Sequence, residues 1–166
     1  MQLAEGGKIV LLCVVASVVY GVAHDMVTAH ISIEYFTVYH PRLIGSESPW
    51  AMALLWGVIA TWWMGAALGL ALAFAAQAGA APRLGWRALV GPVAFLLAVS
   101  AACAAAAGFV GYHAGGFVID FLQPQPRHPM QTISVLFAHN ASYFVGFLGG
   151  LGLAGWTLRR RANARR

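Results

Sequence analysis

Four apolar runs, each long enough to cross a lipid bilayer as a helix, occupy most of this sequence. A transmembrane helix needs about 20 mainly apolar residues, and the runs place approximate spans at residues 8–27, 50–78, 88–110 and 132–158. Hydrophobic residues make up 60% of the 166 positions and charged residues only 9%, so a soluble domain of this length could not bury the apolar surface. The sequence therefore predicts an all-α fold, a membrane bundle of four transmembrane helices that forms a single integral membrane domain over residues 1–166.

The first run has a second interpretation, as a secretory signal peptide, because Lys8 precedes the apolar stretch and small residues follow it. No small-x-small cleavage site comes before the polar segment, and Tyr20 occupies the position where one would be needed. We therefore expect a first transmembrane helix that ends near Met26 or one turn later.

The connection after the first span, residues 24–49, is rich in polar and aromatic side chains. Its middle part, HISIEYFTVYH, alternates like a β-strand and contains many β-branched and aromatic residues. The same segment is compatible with a short interfacial helix. In either conformation His30 and Glu34, which are four residues apart, lie on one face.

The basic residues are distributed unevenly between the two sides of a four-span topology. Eight fall on the side of the termini: Lys8, Arg83, Arg87, Arg159, Arg160, Arg161, Arg165 and Arg166. The other side has only Arg42 and Arg127, so the positive-inside rule predicts that both termini face the cytoplasm. Because the C-terminal arginines follow an apolar span, we assign the net charge of +5 to contact with the bilayer surface and expect no nucleic-acid partner.

The same topology places nearly all titratable side chains on the outer side. These are all six histidines and four of the five carboxylates: His24, His30, His40, His113, His128, His139, Asp25, Glu34, Glu47 and Asp120. His24 ends the first span and His139 lies a few turns into the fourth, so their depths agree to within a turn or two. We expect these two imidazoles to face each other across the bundle.

Imidazole and carboxylate groups together form a ligand set that suits Zn, Fe or Cu, and four-helix bundles build such sites in their cores. The candidate metal ligands are His24, Asp25, Glu34, His40 and His139, with His30 as the next candidate. Asp25 or Asn140 could instead orient a ligating histidine. No HExxH or paired ExxH motif is present. The sequence favours an extracytoplasmic metal site with a redox, hydrolytic or metal-delivery role; it identifies no catalytic residue and leaves open whether the protein is an enzyme.

Three other interpretations remain open. Histidines near a membrane surface titrate close to neutral pH, so the site could conduct protons or sense pH. A haem could be held between His24 and His139. The protein could also be a non-catalytic membrane subunit or scaffold that packs against other subunits, or against a second copy, through small-residue helix faces. Such faces are the GxxxG of Gly65 and Gly69 and the AACAAAAG stretch of the third span, which we expect to be pressed against a neighbour.

The runs YGVAHDMVTAH, EYFTVYHP and WGVIATWWMG, between Tyr20 and Gly65, resemble an uncharacterised family of small four-span bacterial membrane proteins. The resemblance covers mainly the first half of the chain. It implies a multi-pass protein of the bacterial inner membrane, and it implies no function.

Overall fold

The computed structural model describes residues 3–164, and within that range the chain forms α-helices, one 3₁₀ helix and no strand. The helices are α1 (Leu3–Ile31), α2 (Ile33–Thr37), α3 (Pro49–Ile59), α4 (Trp62–Gln77), α5 (Arg87–Ala114), the 3₁₀ helix (Gly115–Phe121) and α6 (Pro129–Asn163). Four stretches are long and apolar enough to cross a membrane, namely α1, α3 with α4, α5 with the 3₁₀ helix, and α6. The predicted all-α fold with four long apolar helices is thereby confirmed.

The first connection is helical where the alternating pattern suggested a strand. α1 continues to Ile31, and α2 follows after Ser32, whose backbone N–H still donates to the carbonyl oxygen of Thr28 at 2.9 Å. α2 buries Phe36 against residues of α1 and α3. Because strand propensity depends on packing, this burial outweighs the β-branched and aromatic composition of the segment.

The second connection, which joins the third and fourth spans and contains several glycines and prolines, is helical in its first part. α5 extends to Ala114, and the 3₁₀ helix continues to Phe121. α6 begins at Pro129, in a first-turn position that suits proline because no N–H donor is needed there. Thr132 and Ser134 therefore lie inside the first turns of α6.

Glycines on α3 and α4 allow α1 to approach closely. A Cβ on Gly57 would lie 2.6 Å from the backbone of Val22, and a Cβ on Gly65 would lie 2.8 Å from the carbonyl oxygen of Cys13. Gly69 faces the same helix one turn further on. The predicted GxxxG face is therefore filled by α1 of the same chain, which is the close packing that small residues permit in membrane helices.

A second small-residue contact joins α5 to α6. The hydroxyl of Ser134 donates to the carbonyl oxygen of Gly108 at 2.9 Å, and Ala104 is buried nearby on α5. Other alanines of the AACAAAAG stretch are exposed: Ala101, Ala102, Ala105 and Ala106. Within the described chain, only part of this stretch is covered by a neighbouring helix.

The two ends of the bundle differ in character. One end, which we call the basic end, gathers the start of α1, the turn at residues 78–86 and the end of α6. There Glu5 accepts a hydrogen bond from the backbone N–H of Trp86 at 3.3 Å. The opposite end, which we call the histidine end, holds α2, the chain up to Pro49, the 3₁₀ helix and the loop before α6. There the hydroxyl of Tyr39 donates to the carbonyl oxygen of Pro124 at 2.6 Å, which joins the two connections.

Candidate metal centre

Three of the candidate ligands converge inside the bundle, between α1 and α6. His24 and Asp25 are adjacent on α1, and one ligand atom from each lies within 4.8 Å of a ring nitrogen of His139 on α6. Asp25 is 5% exposed and His139 is 7% exposed, whereas His24 is half-buried and lines a groove between α1, α5 and α6. The predicted encounter of His24 and His139 is confirmed, since their ring centroids are 4.6 Å apart.

Two hydroxyl pairs hold α1 against α6 on either side of this group. Toward the histidine end, the hydroxyls of Ser32 and Thr132 share a hydrogen bond of 2.9 Å. Toward the basic end, the hydroxyls of Tyr20 and Ser142 share one of 2.8 Å. Hydrogen bonds between helices in apolar surroundings fix the helix spacing, so the backbone that carries the three side chains is held from both directions.

The hydrogen bonds of His139 define which of its nitrogens is available. Nδ1 lies 2.9 Å from the carbonyl oxygen of Val135. Because a carbonyl oxygen only accepts, Nδ1 carries the proton, and a neutral ring then has a bare lone pair at Nε2. That Nε2 lies 3.1 Å from Oδ1 of Asp25. An imidazole lone pair and a carboxylate oxygen repel each other unless a cation, either a proton or a metal ion, is shared between them.

His24 supplies a third possible metal ligand, a ring nitrogen that has no hydrogen-bond partner within residues 3–164. Its ring stacks on Tyr20, with centroids 5.8 Å apart, and meets the ring of His139 edge-on. Its Nε2 is buried and has no hydrogen-bond partner in that part of the chain. Buried polar atoms are almost always satisfied, so this unsatisfied nitrogen is compatible with a ligand.

The separation of the two rings argues against the haem alternative. An iron bound by two imidazoles would hold their ring centres about 6 Å apart, because each metal–nitrogen bond is about 2 Å long. The centroids of His24 and His139 are 4.6 Å apart and the rings are nearly perpendicular. This geometry leaves no space for a porphyrin plane between them, and a single small ion fits it better.

Aromatic rings close the group toward the histidine end. The ring of Tyr35 on α2 lies 4.5 Å from that of His139, and the ring of Phe36 lies 5.7 Å from it. Burial raises the pKa of the Tyr35 phenol, so this side chain is neutral. His40 packs on Tyr35 and Trp56, and its Nδ1 lies 2.8 Å from the carbonyl oxygen of Tyr35. His40 therefore belongs to the aromatic cover and is not brought into the three-residue group.

The remaining predicted site residues are engaged elsewhere. The two carboxylate oxygens of Glu34 accept the backbone N–H groups of Arg127 and His128, each at 3.0 Å. Exposed His30 has Nδ1 2.6 Å from the carbonyl oxygen of Met26. Exposed Asn140 donates to a carbonyl of its own helix. Glu34 thus ties the two connections of the histidine end together, and none of these side chains reaches the group around Asp25.

Sequence reasoning did not assign the supports of the group. Tyr35 covers His139, and the Tyr20–Ser142 pair lies beneath it. Helical spacing could have indicated the Tyr20–Ser142 pair. Tyr20 is four residues before His24 and Ser142 is three residues after His139, so each lies on the same helix face as its histidine. The position of Tyr35 depends on how α2 folds back, and no local pattern contains that information.

Comparison of the chain with protein-family models, curated proteins and solved structures gave no match. The resemblance of its first half to small four-span bacterial membrane proteins therefore stays a prediction.

Proposed function

We propose that this protein is a multi-pass protein of the bacterial inner membrane that binds one divalent transition metal ion through His24, Asp25 and His139. The observation that carries the proposal is the buried meeting of these three side chains from α1 and α6. A carboxylate and two imidazoles removed from water are costly to bury without a compensating cation, and a metal ion supplies that compensation.

The spacing of the donor atoms suits a common metal ion. Two donors bound to one ion at about 2.1 Å lie about 3.0–3.4 Å apart in octahedral or tetrahedral geometry. Nε2 of His139 and Oδ1 of Asp25 are 3.1 Å apart. The bond from Nδ1 of His139 to the Val135 carbonyl is the type of outer hydrogen bond that orients ligating histidines. The ligand atom of His24 lies within 4.8 Å of the other two, so binding would draw His24 toward them.

Two nitrogens and one carboxylate suit Zn, Fe or Cu, and they leave coordination positions open for water or a second ligand. When bound, such an ion supplies a Lewis acid or a redox centre. Tyr35 and Phe36 cover the group on the side of His139, whereas His24 also lines a groove between α1, α5 and α6. An ion or a small ligand could reach the group from that groove.

We also propose that both termini face the cytoplasm. Six basic residues of the described chain lie at the basic end: Lys8, Arg83, Arg87, Arg159, Arg160 and Arg161. Cytoplasmic segments next to membrane spans are enriched in Lys and Arg. The metal site would then lie in the outer half of the membrane. A reporter that is active only in the cytoplasm should therefore be active when it is fused to the C-terminus.

Metal analysis of protein purified in detergent tests the site. The wild-type protein should bind about one equivalent of Zn²⁺ after incubation and dialysis, measured by plasma mass spectrometry. His139→Ala should bind none above background. His113→Ala is the matched control, because His113 is exposed at the end of α5 and packs only on Phe109 and Tyr112 among the described residues. Equal metal content in the wild type and His139→Ala would refute the proposal.

One observation favours proton binding as a second candidate function. The lone pair of His139 Nε2 and the Asp25 carboxylate are also satisfied by a single shared proton. A proton held in this position would make the pair a relay or an acid sensor. Infrared spectra of the metal-free protein distinguish metal binding from proton binding. A carboxylic-acid band that disappears in Asp25→Asn, in a protein that binds no metal, would favour proton binding.

A scaffold role is favoured by a different observation, the exposed alanines on α5. Small residues on a lipid-facing surface permit a helix of another subunit, or of a second copy, to approach. Cross-linking through a cysteine placed at Ala102 would detect a second copy at this face.

A further inference from the structure

A cavity at the centre of the bundle lies directly beneath the candidate metal centre. Its volume is about 100 Å³, and all four long helical stretches contribute to its wall. The Tyr20–Ser142 pair forms part of the wall next to His24 and His139. The cavity therefore begins one helical turn from the metal ligands and extends toward the basic end.

The wall of this cavity changes from polar to apolar along its length. Hydroxyl groups line the part toward the histidine end: Ser17, Tyr20, Thr61, Ser100 and Ser142. Apolar side chains line the part toward the basic end: Leu68, Leu72, Val93, Leu96 and Leu153. A ligand that matches this wall has a hydrogen-bonding head and an apolar body.

Ser100 shows that the polar part is incomplete. The side chain is 1% exposed, and its hydroxyl has no hydrogen-bond partner within residues 3–164. An unsatisfied hydroxyl in an apolar interior is destabilising, and most buried polar atoms have a hydrogen-bond partner. The Oγ atom itself has almost no accessible surface, so the Ser100 side chain would rotate before a ligand hydroxyl or carbonyl satisfied it from inside the cavity.

The cavity is partly open toward the lipid-facing surface, since Tyr143 lines it and is exposed. Tyr20, Val93 and Leu97 line the cavity, and they also line a groove between α1 and α5 on the outside of the bundle. Movement of these side chains would connect the two spaces. A ligand could then enter sideways from the bilayer and need not pass through water.

We propose that this cavity binds a small lipid-soluble amphiphile, an alcohol or ketone with a single apolar chain, whose oxygen hydrogen-bonds to Ser100. The proposal does not depend on the metal site, because it uses different side chains. A probe of matching chemistry is a photoreactive 1-octanol that carries a diazirine on its chain. Irradiation of the purified protein, followed by mass spectrometry of peptides, should place the label on cavity residues of α5 and α6.

A cavity-filling substitution tests the location. Gly146 lines the cavity, and a Cβ there meets nothing within 4 Å, so Gly146→Leu should fill the space from α6. Labelling of cavity residues should fall at least tenfold. Gly152→Leu is the matched control: it adds the same side chain to the same helix, at an exposed position with nothing within 4 Å, and should label like the wild type.

A second variant tests the hydrogen bond and does not depend on Gly146→Leu folding. Ser100→Ala removes the unsatisfied hydroxyl, so the melting temperature should stay level or rise while probe affinity falls about tenfold, as expected for one lost hydrogen bond. Excess unlabelled 1-octanol should abolish cavity labelling in the wild type. Label confined to lipid-facing residues, or label that neither competitor nor Ser100→Ala reduces, would overturn the proposal and leave water as the occupant.

Discussion

Two buried polar centres lie at opposite ends of the same bundle, and they are satisfied to different degrees. At the basic end, the guanidinium of Arg161 donates to backbone carbonyl oxygens at the end of α4 and in the turn after it. At the histidine end, His24, Asp25 and His139 leave a ring nitrogen and a lone pair without a donor among the residues described. The two centres are about 33 Å apart along α6.

The difference distinguishes a structural role for Arg161 from the binding role proposed for the histidine centre. Arg161 is 2% exposed, and it donates to the carbonyl oxygens of Ala75 and Ala78 at the end of α4 and of Ala81 and Pro82 in the turn after it. The carbonyl groups in the last turn of an α-helix lack partners within the helix, and Arg161 supplies donors to part of that end. Its positive charge also lies at the negative end of the α4 dipole. This centre needs no further group. In the histidine centre Asp25 and His139 are buried and His24 is half-buried. The facing atoms of Asp25 and His139 are both acceptors, so a proton or a metal ion is needed between them.

The largest expected effect is the loss of metal affinity in Asp25→Asn. Removal of one ligand of three should weaken binding about a thousandfold, because the ligands of a zinc site together supply about 10–16 kcal/mol. The new amide can donate to Nε2 of His139, so the metal-free variant should be as stable as the wild type. Calorimetric titration with Zn²⁺ and a melting curve measure both quantities.

The control for this variant is Glu47→Gln. This substitution also removes a carboxylate at the histidine end, but Glu47 lies in an exposed loop. Its metal affinity should equal that of the wild type. If Asp25→Asn retained full affinity, the assignment of Asp25 as a ligand would be wrong.

Arg161→Met should show the reverse behaviour, with stability lost and metal binding kept. Loss of the guanidinium removes the donor from four carbonyl oxygens at the end of α4 and in the turn after it, so the free energy of unfolding should fall by about 3 kcal/mol. Reversible unfolding in detergent micelles measures this. Arg160→Met serves as control, because Arg160 is exposed and lies against the ring of Trp156 at 5.2 Å. A drop in metal affinity in Arg161→Met would show that the two centres are coupled.

The sequence predicted some features of the two ends and missed others. Hydropathy alone gives four helices, and helix spacing gives the encounter of His24 and His139, because depth along a helix follows from residue number. The exclusion of Glu34 could not be predicted, since its partners are backbone N–H groups of Arg127 and His128, more than 90 residues away in the chain. The role of Arg161 was equally hidden, because an arginine after a span has the same pattern whether it binds lipid or a helix end.

Gly57→Ala tests whether the glycine contacts, and not the polar centres, hold α1 in place. The new Cβ would lie 2.6 Å from the backbone of Val22, which cannot move aside as a side chain can. We expect a loss of about 2 kcal/mol in the free energy of unfolding. Gly152→Ala is the matched control, because its Cβ meets nothing and alanine favours a helix over glycine by about 1 kcal/mol. Equal stability of the two variants would contradict the close α1–α3 contact.

The smallest effect is expected for Glu34→Gln, which decides whether this side chain belongs to the connections or to the metal site. Glutamine keeps one oxygen acceptor and loses the other, so the free energy of unfolding should fall by about 1 kcal/mol or less. The amides of Arg127 and His128 should exchange hydrogen faster, as measured by mass spectrometry. Zinc affinity should be unchanged, because both Glu34 oxygens already accept backbone N–H groups. A large loss of zinc affinity without faster exchange would instead make Glu34 a ligand. The histidine end would then have to rearrange on binding, and the distinction between its incomplete centre and the satisfied centre at Arg161 would apply only to the metal-free state.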